Sequence, residues 1–211
     1  MPIRGCMRFL NKISNSAKGI IQSLEISEVF ASSGASHLPL QEFLKLVLGV
    51  LQGTDSVLVG GLALAEHAKP RATQDLDFVI VSKDMDDIVA LFESKGFKQT
   101  ENMPYNQPKR DIVKFEYEGR EVDFLFFKSK EFATHLLKRA KQATILGKSV
   151  KIASAEDLVI TKLASMRWKD KADIMAIRSK SDTLDLSYVR DRLWDLGITD
   201  RIQFLKLPVE D

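Results

Sequence analysis

The chain has 211 residues, 45% of them apolar and 28% charged, the proportions of one globular domain or one domain with a small appendage. Its formal charge is only +2, so net charge alone does not mark it as a nucleic-acid binder. The single cysteine, Cys6, excludes an intrachain disulfide and a cysteine-based zinc site, and His37, His67 and His135 are too scattered to form one. No apolar run approaches the roughly 20 residues of a membrane helix. Met1 to Ser16 carries basic residues with no long apolar segment behind them. The expected location is therefore cytoplasmic, with no membrane contact.

Residues 1–40 read as an N-terminal extension, partly helical, with Ile20, Ile21, Leu24, Ile26, Val29 and Phe30 at roughly helical spacing. Ser32 to Ser36 reads as a loop. Gln41 to Leu51 is a helix with Phe43, Leu44, Val47, Leu48 and Leu51 on one side, closed by Gly53. Ser56 to Val59 is a short buried strand. Gly60-Gly61 breaks it, and Leu62 to Ala68 forms a helix. After a loop at Pro70 to Thr73, a second strand is expected over Asp75 to Val81. A helix follows over Lys83 to Lys95, stopped by Gly96. Asn102 to Lys109 reads as a loop. Ile112 to Tyr117 and Glu121 to Phe127 alternate around Glu118-Gly119-Arg120 as a β-hairpin. A smaller hairpin spans Thr144 to Ile152. From Ser154, an N-cap with Asp157 three residues on, the pattern turns helical: Ala155 to Arg167, Lys169 to Arg178 and Leu186 to Leu196. The order implies an α+β fold: a core at 41–153 with a mixed sheet, and a helical region at 154–211 packed on it.

The informative stretch joins Val57 to Leu64 with Arg71 to Phe78. Residues two apart on a strand share a face about 6.5–7 Å apart. Asp75 and Asp77 thus present two carboxylates at the start of a buried strand, where a divalent cation would relieve their repulsion. Asp123 lies in Val122-Asp123-Phe124-Leu125-Phe126-Phe127, an apolar setting that implies an interior strand. If that strand lies beside the first, three carboxylates can converge on two metal ions. Gly60-Gly61, between strand and helix, would let backbone approach a phosphate. Taken singly, Gly-Gly is also an ordinary tight turn and Asp-x-Asp an ordinary strand end; the combination carries the inference. Arg71 and Thr73 either orient phosphate or cap the start of the strand. Trp168 is expected to pack between helices, with an exposed base-stacking position as the alternative. His67 reads as a core or surface residue rather than a ligand.

These motifs resemble the nucleotidyltransferase superfamily typified by DNA polymerase beta, and within it the minimal and AbiE-type toxin nucleotidyltransferases. The resemblance runs from about Val57 to Ile177. It matches Gly60, Gly61, Asp75 and Asp77 to the first motif and Asp123 to the second. Asp157 and Lys162 match an Asp-four-residues-Lys motif, and Asp170 a further acid, with Asp173 able to fill that place. Gly61 stands where many members carry Ser. The resemblance implies Asp75, Asp77 and Asp123 as catalytic metal ligands for Mg2+, with Mn2+ as the alternative. Gly60, Gly61, Arg71, Thr73, Lys162 and Asp170 would then contact the nucleotide, with Lys162 reaching the triphosphate. The implied reaction moves an NMP from an NTP to an acceptor hydroxyl. That acceptor is an RNA end such as tRNA, in a toxin-like enzyme with an antitoxin partner. The alternatives are a small-molecule, antibiotic-type acceptor or a non-catalytic nucleotide-binding module. Between Lys128 and Lys180, thirteen Lys and Arg face five Asp and Glu, which favours RNA slightly.

Overall fold

A computed structural model describes residues 17–31, 37–103, 110–180 and 184–206. The expected loops at Ser32 to Ser36 and within 104–109 lie outside the described residues. The fold is α+β, as the sequence pattern implies. Among the described residues eight helices run in chain order: α1 (Lys18–Ala31), α2 (Leu40–Val50), α3 (Gly60–Leu64), α4 (Met85–Glu93), α5 (Lys130–Arg139), α6 (Ala155–Ser165), α7 (Trp168–Lys180) and α8 (Leu186–Asp195). A 3-10 helix follows at Thr199–Lys206. The strands are β1 (Ser56–Val59), β2 (Leu76–Ile80), β3 (Lys98–Met103), β4 (Arg110–Tyr117), β5 (Arg120–Phe127), β6 (Lys141–Ile145) and β7 (Lys148–Ile152).

The seven strands form one sheet in the order β3-β4-β5-β2-β1-β7-β6. The β2–β5 and β1–β7 pairs are parallel and the rest antiparallel. Both expected hairpins are present. Glu118 and Gly119 (φ 48° and 76°), like Leu146 and Gly147 (φ 51° and 75°), turn with positive φ at both central residues. That is the two-residue turn whose twist matches antiparallel strands. The smaller hairpin is not separate, because β7 joins it to β1 through Leu58 and Ile152.

Strand parity sorts the two faces. Phe78 and Phe124 sit opposite each other on β2 and β5. With Phe92 of α4, Phe97 and Phe115 they make an aromatic cluster with ring centroids 4.6–6.2 Å apart. The residues one step along, Asp77 and Asp123, therefore face the other way. On that face Phe127 packs edge-on against Phe132 of α5.

Three elements depart from the sequence reading. Lys98–Met103 is a strand, although Asn102 opens the expected loop. It lies at the sheet's edge, where backbone pairing needs little apolar alternation. Helix α5 was not expected, although Ser129 caps it by accepting from the Phe132 N–H and Lys138 and Arg139 close it. Helix α3 starts two residues early, at Gly60, and gives way to hydrogen-bonded turns up to Ala68.

Helix α1 is part of the core: Ile20 and Leu24, with Ala17 just ahead of the helix, are fully buried. Its buried Ser23 and Ser27 reach the loop that leads to the carboxylates. The Ser23 hydroxyl donates to the Arg71 carbonyl, and the Thr73 N–H donates to Ser27 Oγ at 2.9 Å.

Candidate active site

The site begins as one row of side chains across the sheet. Val59 pairs with Asp77, Asp77 with Asp123, and Asp123 with Lys114. Directly opposed residues share a face, so β2, β5 and β4 set two acids and a lysine side by side. Lys114 Nζ lies 3.6 Å from Asp123 Oδ2. Asp75, just ahead of β2, is exposed at the mouth, while Asp77 and Asp123 are half-buried.

This arrangement strains the acids electrostatically. Burial raises the Asp123 carboxyl to about 7, with Asp77 pushing the same way and Lys114 opposing. Burial likewise raises Asp77, against Lys162 and with Asp75. Asp75, although its residue surface is exposed, is raised by partial desolvation of its carboxyl and then by Glu121. Each acid is thus held above its usual range by lost solvation and by its neighbours' charge.

Backbone closes in from β1. Gly60 has φ 67°, and a Cβ there would collide with Asp77 Oδ2. Only glycine allows that approach. A Cβ on Gly61 would come within 2.8 Å of Thr73 Oγ1.

A cavity of about 470 Å3 opens over the row. Gly60, Gly61, Arg71, Thr73, Asp75, Asp77, Asp123 and Lys162 all line it, so eight of the nine candidates from sequence meet there. The ninth, Asp170, is fully buried and outside the lining. It holds Arg167, accepting from the Arg167 N–H at 2.9 Å, from Nε at 3.0 Å and from Nη2 at 3.3 Å, while the Ser165 hydroxyl donates at 2.7 Å. Burial would raise Asp170, but the Arg167 and Ser165 bonds outweigh it and its carboxyl sits below the usual range. Asp173, one turn along, does line the cavity.

Lys162 is almost fully buried and committed to acids. Its Nζ is 2.5 Å from Asp173 Oδ2 and 3.6 Å from Asp170 Oδ1. Arg71 Nη2 reaches the same Asp173 at 3.2 Å. Asp157, the other half of the matched Lys162 motif, lies outside the cavity lining. It accepts from the Ser154 and Tyr188 hydroxyls at 2.7 Å each and ties α6 to α8.

The sequence reading missed Lys114, Arg167 and Lys169 in the lining. Lys114 was findable, since the hairpin register pairs it with Asp123 once Glu118-Gly119 is taken as the turn. Trp168 is a correction: it is 86% exposed, not packed between helices. His67 points its Nε2 at the Ala153 carbonyl, 2.8 Å away, away from any ligand role. Of the thirteen cations between Lys128 and Lys180 only Lys162, Arg167 and Lys169 line the cavity. Lys151 pairs with Asp55 and Arg139 with Glu156.

The donor set suits a hard divalent cation, because it offers only carboxylate oxygens and sits beside phosphate-seeking cations. Among the described residues no group of three or more His, Cys, Asp or Glu side chains is placed so as to hold a metal ion. That is compatible with magnesium sites, which use one or two carboxylates and draw their remaining ligands from water and substrate phosphate.

The family model described as "Nucleotidyltransferase of unknown function (DUF6036)" matches residues 36–203. It extends beyond the stretch of resemblance on both sides and takes in α2 and α8. No curated protein matches the chain. Among solved structures, a solution structure of the antibiotic-resistance factor ANT(2'')-Ia shares 13% identity and a TM-score of 0.48, over 79% of this chain and 94% of that one. A crystal structure of ANT(2")-Ia in complex with adenylyl-2"-tobramycin shares 15% identity and a TM-score of 0.49, over 80% and 98%. An antigenic nucleotidyltransferase-like protein from Paracoccidioides brasiliensis shares 20% identity and a TM-score of 0.44, over 82% and 94%. Likeness at this distance assigns no chemistry. Among the described residues, no helix is long and apolar enough to cross a membrane.

Proposed function

This chain belongs to the nucleotidyltransferase family of unknown function (DUF6036), and on that premise we propose that it transfers an NMP from an NTP to an acceptor hydroxyl and releases pyrophosphate. The observation that carries this reading is the Asp77–Asp123 pair on adjacent parallel strands, under a cavity whose lining mixes four acids with five cations. A decayed binding module has no need to keep three acids together at one cavity.

In this reading Asp75, Asp77 and Asp123 would hold Mg2+, with water and substrate phosphate completing its shell, and the ion would neutralise charge on the triphosphate. Mn2+ is the alternative ion. The chain's own residues do the rest. Arg71, Lys162 and Arg167 supply positive charge toward the phosphates, and Gly60-Gly61 lets backbone approach them. Thr73, braced through Ser27, fixes the loop that carries Asp75. Asp123 is the base candidate: its carboxylate, kept ionised by a bound cation and by Lys114 beside it, would take a proton from an acceptor hydroxyl. Asp170 acts indirectly, by positioning Arg167. The remaining contribution is orientation of phosphate and acceptor.

For the acceptor we favour an RNA end over a small molecule. The cavity lining carries more cations than acids, which suits a polyanionic acceptor better than a polycationic one such as an aminoglycoside. The test is incubation with each labelled NTP, Mg2+ and either total RNA or a panel of aminoglycosides. Label in RNA is expected. Label in the antibiotic fraction would move the acceptor to the small-molecule class, and label in neither would refute transfer to both classes. A toxin-type role further requires that expression of the chain alone arrest growth and that a partner protein relieve it.

A further inference from the structure

We infer that Lys114 and Lys169 form the acceptor side of the cavity and hold a phosphodiester of an RNA end beside Asp123, an inference that rests on the nucleotide reading above. Both lysines line the cavity together with the three carboxylates.

The cations of the cavity fall into two sets, on opposite sides of the acids. One set gathers at the glycines. A Cβ on Gly61 would lie 2.8 Å from Thr73 Oγ1 and 3.8 Å from Arg71 Nη2. Asp173 holds that same guanidinium at 3.2 Å and the Lys162 ammonium at 2.5 Å. The other set lies across the sheet. Val59 of β1 pairs with Asp77, Asp77 with Asp123, and Asp123 with Lys114 of β4. Three strand spacings separate β1 from β4, roughly 14 Å, so Lys114 lies beyond Asp123 as seen from the glycines. Lys169 stands on α7 one turn before Asp173, on the same helix face. The charges sort in the same way. After lost solvation, Lys162 is the first group to act on Asp77. For Asp75, lost solvation is followed by Glu121, Lys169 and Lys114. Lys162 thus addresses the inner acid, and the other two lysines address the acid at the mouth.

The chemistry gives each set its substrate. Transfer forms a bond from the acceptor oxygen to the α-phosphorus and breaks the bond from that phosphorus to its bridging oxygen. The electron pair of the broken bond leaves with pyrophosphate, and the hydroxyl proton passes to Asp123. The attacking and leaving oxygens are roughly in line, on opposite sides of the phosphorus. With pyrophosphate drawn toward Gly61, Arg71 and Lys162, the acceptor enters from the Lys114 side. There it meets two ammonium groups, point charges on flexible stems that suit phosphate. In an RNA end the terminal phosphodiester lies one sugar away from the terminal hydroxyl. The two lysines can therefore hold the phosphodiester while the hydroxyl faces Asp123. A polycationic acceptor would meet like charge. Glu121 shares this rim, two residues ahead of Asp123 on β5, but stands outside the cavity lining.

Lys169 is exposed and the Lys114 side chain is 29% exposed, so Lys169→Gln and Lys114→Gln are expected to fold. Each full-length protein is titrated into a labelled single-stranded RNA in Mg2+ over a range of salt. Each lysine variant is expected to bind RNA about fourfold more weakly at physiological ionic strength. Its plot of log affinity against log salt should be shallower by about 0.7, the signature of one lost phosphate contact on a single strand. Calorimetry with a non-hydrolysable NTP should give Lys169→Gln the wild-type affinity. Arg71→Gln should do the converse, losing NTP affinity and keeping the RNA slope. Wild-type RNA slopes in both lysine variants, or no RNA binding by wild type, would overturn the acceptor subsite alone. So would equal losses of NTP and RNA affinity in Lys169→Gln, or a fall in RNA slope in Arg71→Gln as large as in the lysine variants. If wild type binds no NTP in Mg2+, the nucleotide reading itself fails and the subsite fails with it.

Discussion

Aspartates on the helices and aspartates on the sheet, Asp170 of α7 against Asp77 and Asp123 of β2 and β5, behave in opposite ways. Asp170 is fully buried yet satisfied, with donors from Ser165 and Arg167 and Lys162 close by. Asp77 and Asp123 are less buried yet strained, because the groups nearest each include another acid. The first group is complete as folded. The second becomes favourable only when a cation arrives, and the contrast separates residues that build the site from residues that do the chemistry.

The largest effects should come from the incomplete group. Asp75→Asn, Asp77→Asn or Asp123→Asn should lower transfer by at least about 10^2- to 10^3-fold, the scale of losing a group that stabilises developing charge. In metal-free buffer the same variants should melt at or above the wild-type temperature, since each removes a repelling charge. A radiolabel transfer assay beside a thermal melt checks both halves. An active Asp77→Asn enzyme would remove that residue from the chemistry.

Asp170→Ala should behave the other way round. Removing one partner from a buried ionic network costs about 3–5 kcal/mol, so denaturant midpoints should fall clearly. Any activity that survives should show a raised NTP KM, because Arg167 has lost its brace. Unchanged stability would mean that the network is not structural.

Lys162 belongs to both groups, and here the structure changes the expectation. From sequence, Lys162→Ala should affect kinetics with little change in melting temperature. Because its ammonium is buried against Asp173, the variant should also lose stability. Lys162→Met with Asp173→Asn should restore much of that stability and leave NTP binding weak. If the double variant restores binding as well, Lys162 serves only the core.

The smallest effect is on pH dependence. The folded-state pKa of Asp123 is raised to about 7, above an unfolded value near 4. Its protonated form is thus favoured by folding. The stability it contributes is present below about pH 4 and is lost as pH rises through about 7. Metal-free protein should therefore show a falling melting temperature between pH 5 and 8, and Asp123→Asn should flatten that slope. Saturating Mg2+ should reverse it.

Most of the fold was legible because the apolar pattern is strong where strands are interior. Ser56–Val59, Leu76–Ile80 and Arg120–Phe127 are dense in Val, Leu and Phe, and each was read nearly to its ends. Polar edge strand β3 left no such pattern, and α5 was signalled by its caps and by a short apolar stripe at Phe132, Ala133 and Leu136. The carboxylates were legible for the same reason as the strands: charge at Asp77 and Asp123 stands out in an apolar run. Arg167 and Lys169 were not, because nothing in Arg-Trp-Lys-Asp-Lys says which way each side chain turns. That depends on the left-handed residue at Met166 and on Asp170 reaching back. The exposure of Trp168 was hidden for the same reason.

The central claim is that Asp77 and Asp123 form a cation-dependent nucleotide site. It is tested most directly by isothermal titration of a non-hydrolysable NTP into wild type, Asp77→Asn and Asp123→Asn, each in Mg2+ and in EDTA. We expect wild type to bind at least about tenfold more tightly in Mg2+ than in EDTA, and both variants to lose most of that difference. Equal affinity in Mg2+ and EDTA for wild type, or an undiminished Mg2+ effect in both variants, would contradict it.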